Sequence, residues 1–187
     1  MTRKKYAALL RGINVGGSKK VPMAELRQVL EGLGHDDVQT YLQSGNAVFS
    51  STQQDPVALA RALERAIESR FGFPVACLVA DGARLRAVAH DCPFPAAELE
   101  GRQLHVTFLS EQPDPSRFGA IDAPSYLPEE FRIGDRVLYL YAPNGLGRSK
   151  LAEALYRPAV LKGIDATTRN WNTVAKLVEL TQEGPRP

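Results

Sequence analysis

The 187-residue sequence contains two cysteines, two methionines and one tryptophan. Cys77 and Cys92 are too few for a disulfide framework, and their separation matches no common metal-binding spacing. No apolar run approaches the ~18 residues that cross a bilayer, and the first cations are not followed by an apolar segment of a signal peptide. We therefore expect a cytoplasmic protein with no membrane partner.

The chain also lacks a strong net charge. It has 23 Lys and Arg residues and 21 Asp and Glu residues, which gives a net charge of +2. This excess is too small to indicate nucleic-acid binding by the whole chain. Hydrophobic residues at 44% and charged residues at 24% are typical of a globular protein and exclude a disordered one. Cations do cluster locally: Arg3, Lys4 and Lys5 precede the first apolar stretch, and Arg11, Lys19 and Lys20 follow it.

The first half of the chain predicts six elements by hydrophobic periodicity and by helix-end residues. In order, these are a strand at residues 6–10, a helix between Pro22 and Gly34, hairpin strands at 38–43 and 47–50 around Gly45-Asn46, a helix between Asp55 and Gly72, and a strand at 75–80. The order strand, helix, strand, strand, helix, strand is that of a ferredoxin-like unit. A helix after Asp81 and a proline-rich stretch after Cys92 then predict a connector.

The second half repeats this plan with little sequence similarity to the first. It predicts a strand at residues 104–108, a turn or short helix at 113–120, a hairpin of residues 131–133 and 137–141, a helix after Ser149, and a C-terminal helix at 171–181 with Asn170 or Asn172 as cap and Gly184-Pro185 as its end. We therefore predict an α+β protein of two tandem ferredoxin-like (βαββαβ-type) subdomains with antiparallel sheets. Their bounds are 1–80 and 103–187, with a connector at 81–102.

A glycine-rich basic loop follows the first strand. Glycine adopts positive φ freely and lets backbone amides approach a ligand, so this loop is a candidate oxyanion site. Its candidate ligand-binding residues are Arg11, Gly12, Asn14, Gly16, Gly17 and Lys19. The alternative is an ordinary glycine turn. A P-loop is disfavoured, because Ser18-Lys19 reverses the Lys-Ser order of that motif.

Further candidates for the same ligand lie in later loops. They are Asn46 in the first hairpin, then Arg148, Ser149 and Lys150 before a helix, and Arg169 and Asn170 before the C-terminal helix. Free amides at a helix start favour an anion, and arginine binds oxyanions in a bidentate manner. Helix capping explains Ser149 and Asn170 equally well.

No catalytic or metal-binding group stands out in the sequence. His90, Asp91 and Cys92 are adjacent, but adjacent residues rarely form a nucleophile–base pair. His35 and His105 lack partners at metal-ligand spacing, so we predict no metal site, and the sequence identifies no cofactor.

Several blocks together resemble one known family, the domain of unknown function 1697. They are ALLRGINVGG at residues 8–17, VPMAELR at 21–27, TYLQSGNAVF at 40–49, GRSKL at 147–151 and TRNWNTV at 168–174. The resemblance implies a fold of two ferredoxin-like subdomains. It implies no activity, because the family has no established one.

Three functions are compatible with these observations. The first is a binding protein that holds a phosphorylated small molecule or a nucleotide at the basic loop; nucleic acid is a weaker expectation, since the hairpin supplies only Phe49 for base stacking. The second is a phosphate-chemistry enzyme of acylphosphatase-like architecture, with Arg11 on the oxyanion and Asn14 or Asn46 orienting water. The third is a structural or protein-interaction module.

Overall fold

The computed structural model describes residues 2–182. The chain forms two compact units. The first comprises the residues up to Arg86 together with those from Leu177 onward, and the second comprises Ala87–Lys176. Each unit is described by itself below.

The first unit contains a four-stranded antiparallel sheet and two helices between its strands. Its elements are β1 (Lys4–Leu10), α1 (Met23–Gly32), β2 (Asp36–Tyr41), β3 (Asn46–Ser51), α2 (Pro56–Phe71) and β4 (Cys77–Asp81). The strand order β2-β3-β1-β4 is that of a ferredoxin-like unit. This confirms the predicted order of elements.

Burial of apolar residues explains why β1 is the central strand of this sheet. Its residues from Tyr6 to Leu10 are at most 1% exposed. Tyr6, Ala8 and Leu10 pack in one cluster with apolar residues of the two helices; these include Leu26, Leu30, Leu59, Leu63 and Ile67. Each such side chain stabilises the fold by roughly 1.5–3 kcal/mol relative to an exposed one.

The ends of α2 follow the predicted helix signals. The Asp55 carboxylate accepts a hydrogen bond from the Val57 amide at 2.9 Å, and Pro56 occupies the first helical turn. Gly72 closes the helix with a left-handed φ of 78°. A third helix, α3 (Gly82–His90), begins after β4, and the Asp81 carboxylate accepts from the Arg84 amide at 2.8 Å.

The first hairpin differs from its prediction. Gly45-Asn46 was predicted as a two-residue tip, but Tyr41 pairs with Asn46, so residues 42–45 form a four-residue loop. Asn46 belongs to β3, where it is fully buried and its Nδ2 donates to the Tyr41 carbonyl at 2.9 Å. Asn46 was predicted at the tip of the hairpin, but its side chain bridges the two ends of the loop.

The second unit contains the other four-stranded antiparallel sheet. Its elements are β5 (Leu104–Leu109), β6 (Glu130–Gly134), β7 (Val137–Tyr141), α4 (Lys150–Leu155), β8 (Ala166–Asn170) and the start of α5 (Trp171–Leu180). The strand order β6-β7-β5-β8 repeats that of the first sheet. Short 3-10 helices at Pro115–Phe118 and Ala123–Tyr126 stand where the first unit has α1. A cluster that includes Leu109, Leu138, Leu140, Leu151 and Leu155 forms its core.

Strand β8 was not predicted, because its sequence Ala-Thr-Thr-Arg-Asn is polar and too short to show a period. Thr167 and Arg169 are nevertheless buried, at 6% and 7% exposure. The helix that follows begins at Trp171 as predicted, whereas Gly184-Pro185, its predicted end, lies outside the described residues.

Two ferredoxin-like subdomains of α+β class therefore make up this protein. The bounds 1–80, 81–102 and 103–187 stay a prediction. Within residues 2–182, no helix is long and apolar enough to span a bilayer.

Gly45→Ala provides a test of packing in the first unit. An added Cβ would lie 2.8 Å from Ile13 Cδ1 and 2.9 Å from Leu10 Cβ. Gly34 has a similar φ, +82° against +88°, but open space around its Cβ position. We expect Gly34→Ala to lower the free energy of unfolding by about 1 kcal/mol and Gly45→Ala by about 2–4 kcal/mol. Urea denaturation measures the free energy of unfolding of both variants. Equal decreases would show that contacts with Ile13 and Leu10 do not restrict the residue at position 45.

Candidate functional site

Three loops of the first unit meet at the carboxyl end of β1. They are residues 11–22 after β1, residues 42–45 between β2 and β3, and residues 72–76 before β4. Backbone bonds join them, because Leu10 N donates to Gly45 O at 2.8 Å and Arg11 N donates to Ala76 O at 3.0 Å. The Lys19 ammonium adds a third tie, to Pro74 O at 2.9 Å. We call these three segments the tied loops.

Asn14 holds the first tied loop in shape. Its Oδ1 accepts from Val21 N at 2.9 Å, and its Nδ2 donates to Val21 O at 2.9 Å and to Gln43 O at 2.8 Å. The side chain thereby replaces a strand partner for Val21 and connects the first loop to the second. Its φ of 56° is a left-handed value that asparagine tolerates better than most residues. Asn14 is therefore a structural residue in this conformation.

The two central glycines form the tip of a small hairpin. Ser18 N donates to Val15 O, and Gly16 and Gly17 both have positive φ, at 62° and 78°. Positive φ at both central residues defines a type I′ turn, which explains why glycine is needed there. Among the described residues, no group accepts a hydrogen bond from either glycine amide. Both glycines are exposed, and beyond their chain neighbours no atom of the protein lies within 4 Å of where either Cβ would be.

The tied loops carry positive charge only. Arg11, Lys19 and Lys20 are exposed, and the sequences of residues 11–22, 42–45 and 72–76 contain no Asp or Glu. One carboxylate reaches the start of β4 from α2: Glu64 Oε1 accepts from Cys77 N at 2.9 Å. The only charged side chains that these three loops themselves supply are therefore cations.

The start of α1 adds partial positive charge at the same end of β1. Four of the five helices in the described chain begin with a side-chain cap, whereas α1 begins with Pro22, which provides none. Uncapped first-turn amides and the helix dipole favour an anion. Glu25 in this turn is paired with Arg70 at 2.9 Å, so its charge is compensated.

The predicted candidates of the second unit have different surroundings. Ser149 caps α4, since its Oγ accepts from Ala152 N at 2.9 Å. The Glu129 carboxylate also lies at this helix start, where it accepts hydrogen bonds from the Ser149 hydroxyl and from Leu151 N. An internal carboxylate thus occupies the position where we predicted an external anion. Arg148 and Lys150 are exposed beside it.

Arg169 and Asn170 have structural roles at the end of β8. Arg169 Nη1 donates to Thr167 Oγ1 at 2.7 Å and to Thr168 O at 2.9 Å, and burial lowers its pKa to about 10. In the sheet, Arg169 is the cross-strand neighbour of Val106. Both residues lie on the sheet face opposite to the face that packs on α4. Asn170 Oδ1 accepts from Thr173 N at 3.0 Å and so caps α5. No described contact joins these two residues to the α4 start.

A buried polar group lies on the α4 face of the second sheet. The hydroxyls of Thr107, Tyr156 and Thr168 hydrogen-bond to one another at 2.7–3.1 Å. His105, two residues before Thr107, is 6% exposed, and its Nδ1 has no partner among the described residues. Burial lowers the pKa of His105, and it also lowers that of His35, which stacks on Phe49.

The two cysteines have raised thiol pKa values, because both are partly or fully buried. Cys77 lies in the core of the first unit, as predicted. A raised pKa disfavours the thiolate, so neither cysteine has the environment of a nucleophile.

The structure thus brings Arg11, Gly12, Asn14, Gly16, Gly17, Lys19 and Asn46 into one region of the first unit. Lys20, Val15 and Leu42 share this region but were not among the candidate ligand-binding residues, although Lys20 was named among the clustered cations. The Lys19-Lys20 pair was a usable signal for Lys20. The sequence gives no indication that Val15 and Leu42 are exposed, because an isolated Val or Leu is usually expected to be buried.

The family of unknown function DUF1697 matches residues 3–139, and the chain belongs to this family. The predicted C-terminal blocks at 147–151 and 168–174 lie outside that match. A solved structure of a conserved bacterial protein from Streptococcus pneumoniae is similar over 97% of this chain and 100% of its own, with 24% identity and a TM-score of 0.76. This similarity supports the fold. No curated protein matches the chain significantly.

Asn14→Gly tests the structural role of this side chain. Glycine keeps the positive φ and removes three hydrogen bonds, so we expect the free energy of unfolding to fall by about 2–3 kcal/mol. Hydrogen exchange at the Val21 amide should accelerate more than exchange in α2. Ser18→Ala, which removes only an exposed 3.3 Å bond, is the control and should change little. An unchanged Val21 exchange rate would contradict the assignment.

Stability should depend on pH through His105 and His35. Because burial lowers both pKa values in the folded state, the unfolded state binds more protons below about pH 6.5. We expect stability to be full above that pH and to fall towards pH 5, by at most about 1.4 kcal/mol per pH unit for each histidine.

His105→Leu should flatten this pH profile, because it removes one of the two imidazoles whose pKa burial lowers. Urea denaturation at pH 5, 6, 7 and 8 measures the slopes. Parallel profiles for the wild type and His105→Leu would refute the role of His105.

Proposed function

We propose that this protein is a binding protein whose tied loops hold a phosphorylated ligand. The observation that carries the proposal is that three hydrogen-bonded loops at one end of a sheet carry Arg11, Lys19 and Lys20, and that the sequences of these loops contain no Asp or Glu. In a chain with almost balanced charge, such a cluster attracts an anion. The cluster lies on loops positioned by the buried strand β1, an arrangement typical of binding sites.

Donors for the phosphoryl oxygens come from the backbone and from Lys20. Gly16 and Gly17 are exposed, and no described group accepts a hydrogen bond from their amides. The Lys20 side chain is exposed one residue after Lys19, whose ammonium donates to Pro74 O. The uncapped start of α1 supplies a favourable dipole at the same end of β1. Lys19 therefore fixes the loop, and Lys20 is the cation that meets the ligand.

The acylphosphatase-like alternative gains no support from the geometry. It requires an asparagine to orient water, but Asn14 makes three hydrogen bonds to backbone and Asn46 is fully buried in β3.

Titration of the full-length protein with inorganic pyrophosphate tests the proposal. In amide NMR spectra we expect saturable shifts of Gly16 and Gly17 that weaken as salt is raised, because exposed charges are screened. Lys20→Ala should weaken binding about two- to fivefold, the value of roughly 0.5–1 kcal/mol for an exposed ion pair. Lys162→Ala, an exposed lysine of the second unit, is the matched control and should leave binding unchanged. Absence of saturable shifts at both glycines would overturn the proposal.

A further inference from the structure

Two aliphatic side chains are exposed on the tied loops. Val15 is 66% exposed and Leu42 is 53% exposed, although most large apolar residues of this chain are buried. The Asn14–Gln43 hydrogen bond joins the residues directly adjacent to them in the chain. Cations and apolar side chains thus occur together on one small surface.

Leu42 is held in an unusual backbone conformation. Its φ of 60° is a left-handed value that is unfavourable for a residue with a side chain. A leucine that is both strained and exposed does not contribute to stability through burial. Such residues are typical of binding surfaces, where a ligand covers the side chain.

Polar groups alternate with these apolar ones. Gln43 and Ser18 are exposed next to Leu42 and near Val15. Insertion of the tips into a lipid layer would desolvate these polar groups without giving them partners. A ligand with an anionic part, an apolar ring face and polar ring edges fits the mixed surface better.

We propose that the ligand of the tied loops is a nucleoside phosphate. Its phosphates meet the Gly16–Gly17 tip and Lys20, its base lies against Leu42 and Val15, and Gln43 is available to the base edge. This inference rests on the proposed function and adds the apolar half of the ligand to it. A purely inorganic anion would leave Leu42 and Val15 exposed to water.

The experiment compares two classes of probe on the full-length protein with labelled Val and Leu methyl groups. The probes are inorganic pyrophosphate and the nucleoside diphosphates ADP, GDP, CDP and UDP. We expect at least one nucleoside diphosphate to bind about fivefold or more tightly than pyrophosphate. Methyl signals of Val15 and Leu42 should shift with that nucleotide and stay in place with pyrophosphate.

Leu42→Asn separates the base contact from the phosphate contact. Asparagine tolerates a left-handed φ, so the loop keeps its conformation. The variant should bind the nucleotide no more tightly than it binds pyrophosphate, with its pyrophosphate affinity unchanged. Leu127→Asn, a similarly exposed leucine of the second unit, is the control and should behave as the wild type.

The outcomes are distinguishable. If all probes bind equally and the methyl signals of Val15 and Leu42 do not shift, the nucleotide inference is wrong, whereas the proposed binding of a phosphorylated ligand is retained. If no probe shifts Gly16 or Gly17, both fall. Partition into phosphatidylserine vesicles that is lost in Leu42→Asn, without nucleotide binding, would overturn the inference in favour of a lipid surface.

Discussion

The side-chain amide of Asn14 is the interaction on which the candidate site depends. It takes the place of a strand neighbour for Val21 and reaches the carbonyl of Gln43, 29 residues away in the chain. Ile13, which lies beside Gly45, gives the same two loops an apolar contact. Because a buried strand and the side chains of Asn14 and Lys19 hold the loop in place, the loop can be exposed and still have a defined shape. A ligand that binds a preformed loop pays less ordering entropy.

The parts of the fold that sequence predicts are those with local causes. Asp55, Gly72 and Asn170 act within a few residues of their own positions, so their capping roles can be read without knowing the rest of the chain. The apolar stripes of α1 and α2 are local in the same sense. This is why the order of elements in the first unit agrees with the prediction.

The parts that sequence does not predict depend on distant partners. Strand β8 is polar, and it becomes a strand because β5 offers a buried edge more than fifty residues earlier. Asn46 is of a residue type that is common in turns, but it is buried because it pairs with Leu9 of β1 and with Tyr41 of β2. Asn14 likewise looked like a ligand-binding residue, because its hydrogen-bond partners could not be seen in the sequence.

The two sheets share one strand order, but the starts of α1 and α4 differ in electrostatic character. In the first unit, α1 follows a basic loop and has no side-chain cap. In the second, the Glu129 carboxylate already sits against the first turn of α4. A helix that carries its own counter-charge is indifferent to the anions dissolved around it. Buffer anions should therefore matter at the start of α1 and be irrelevant at the start of α4.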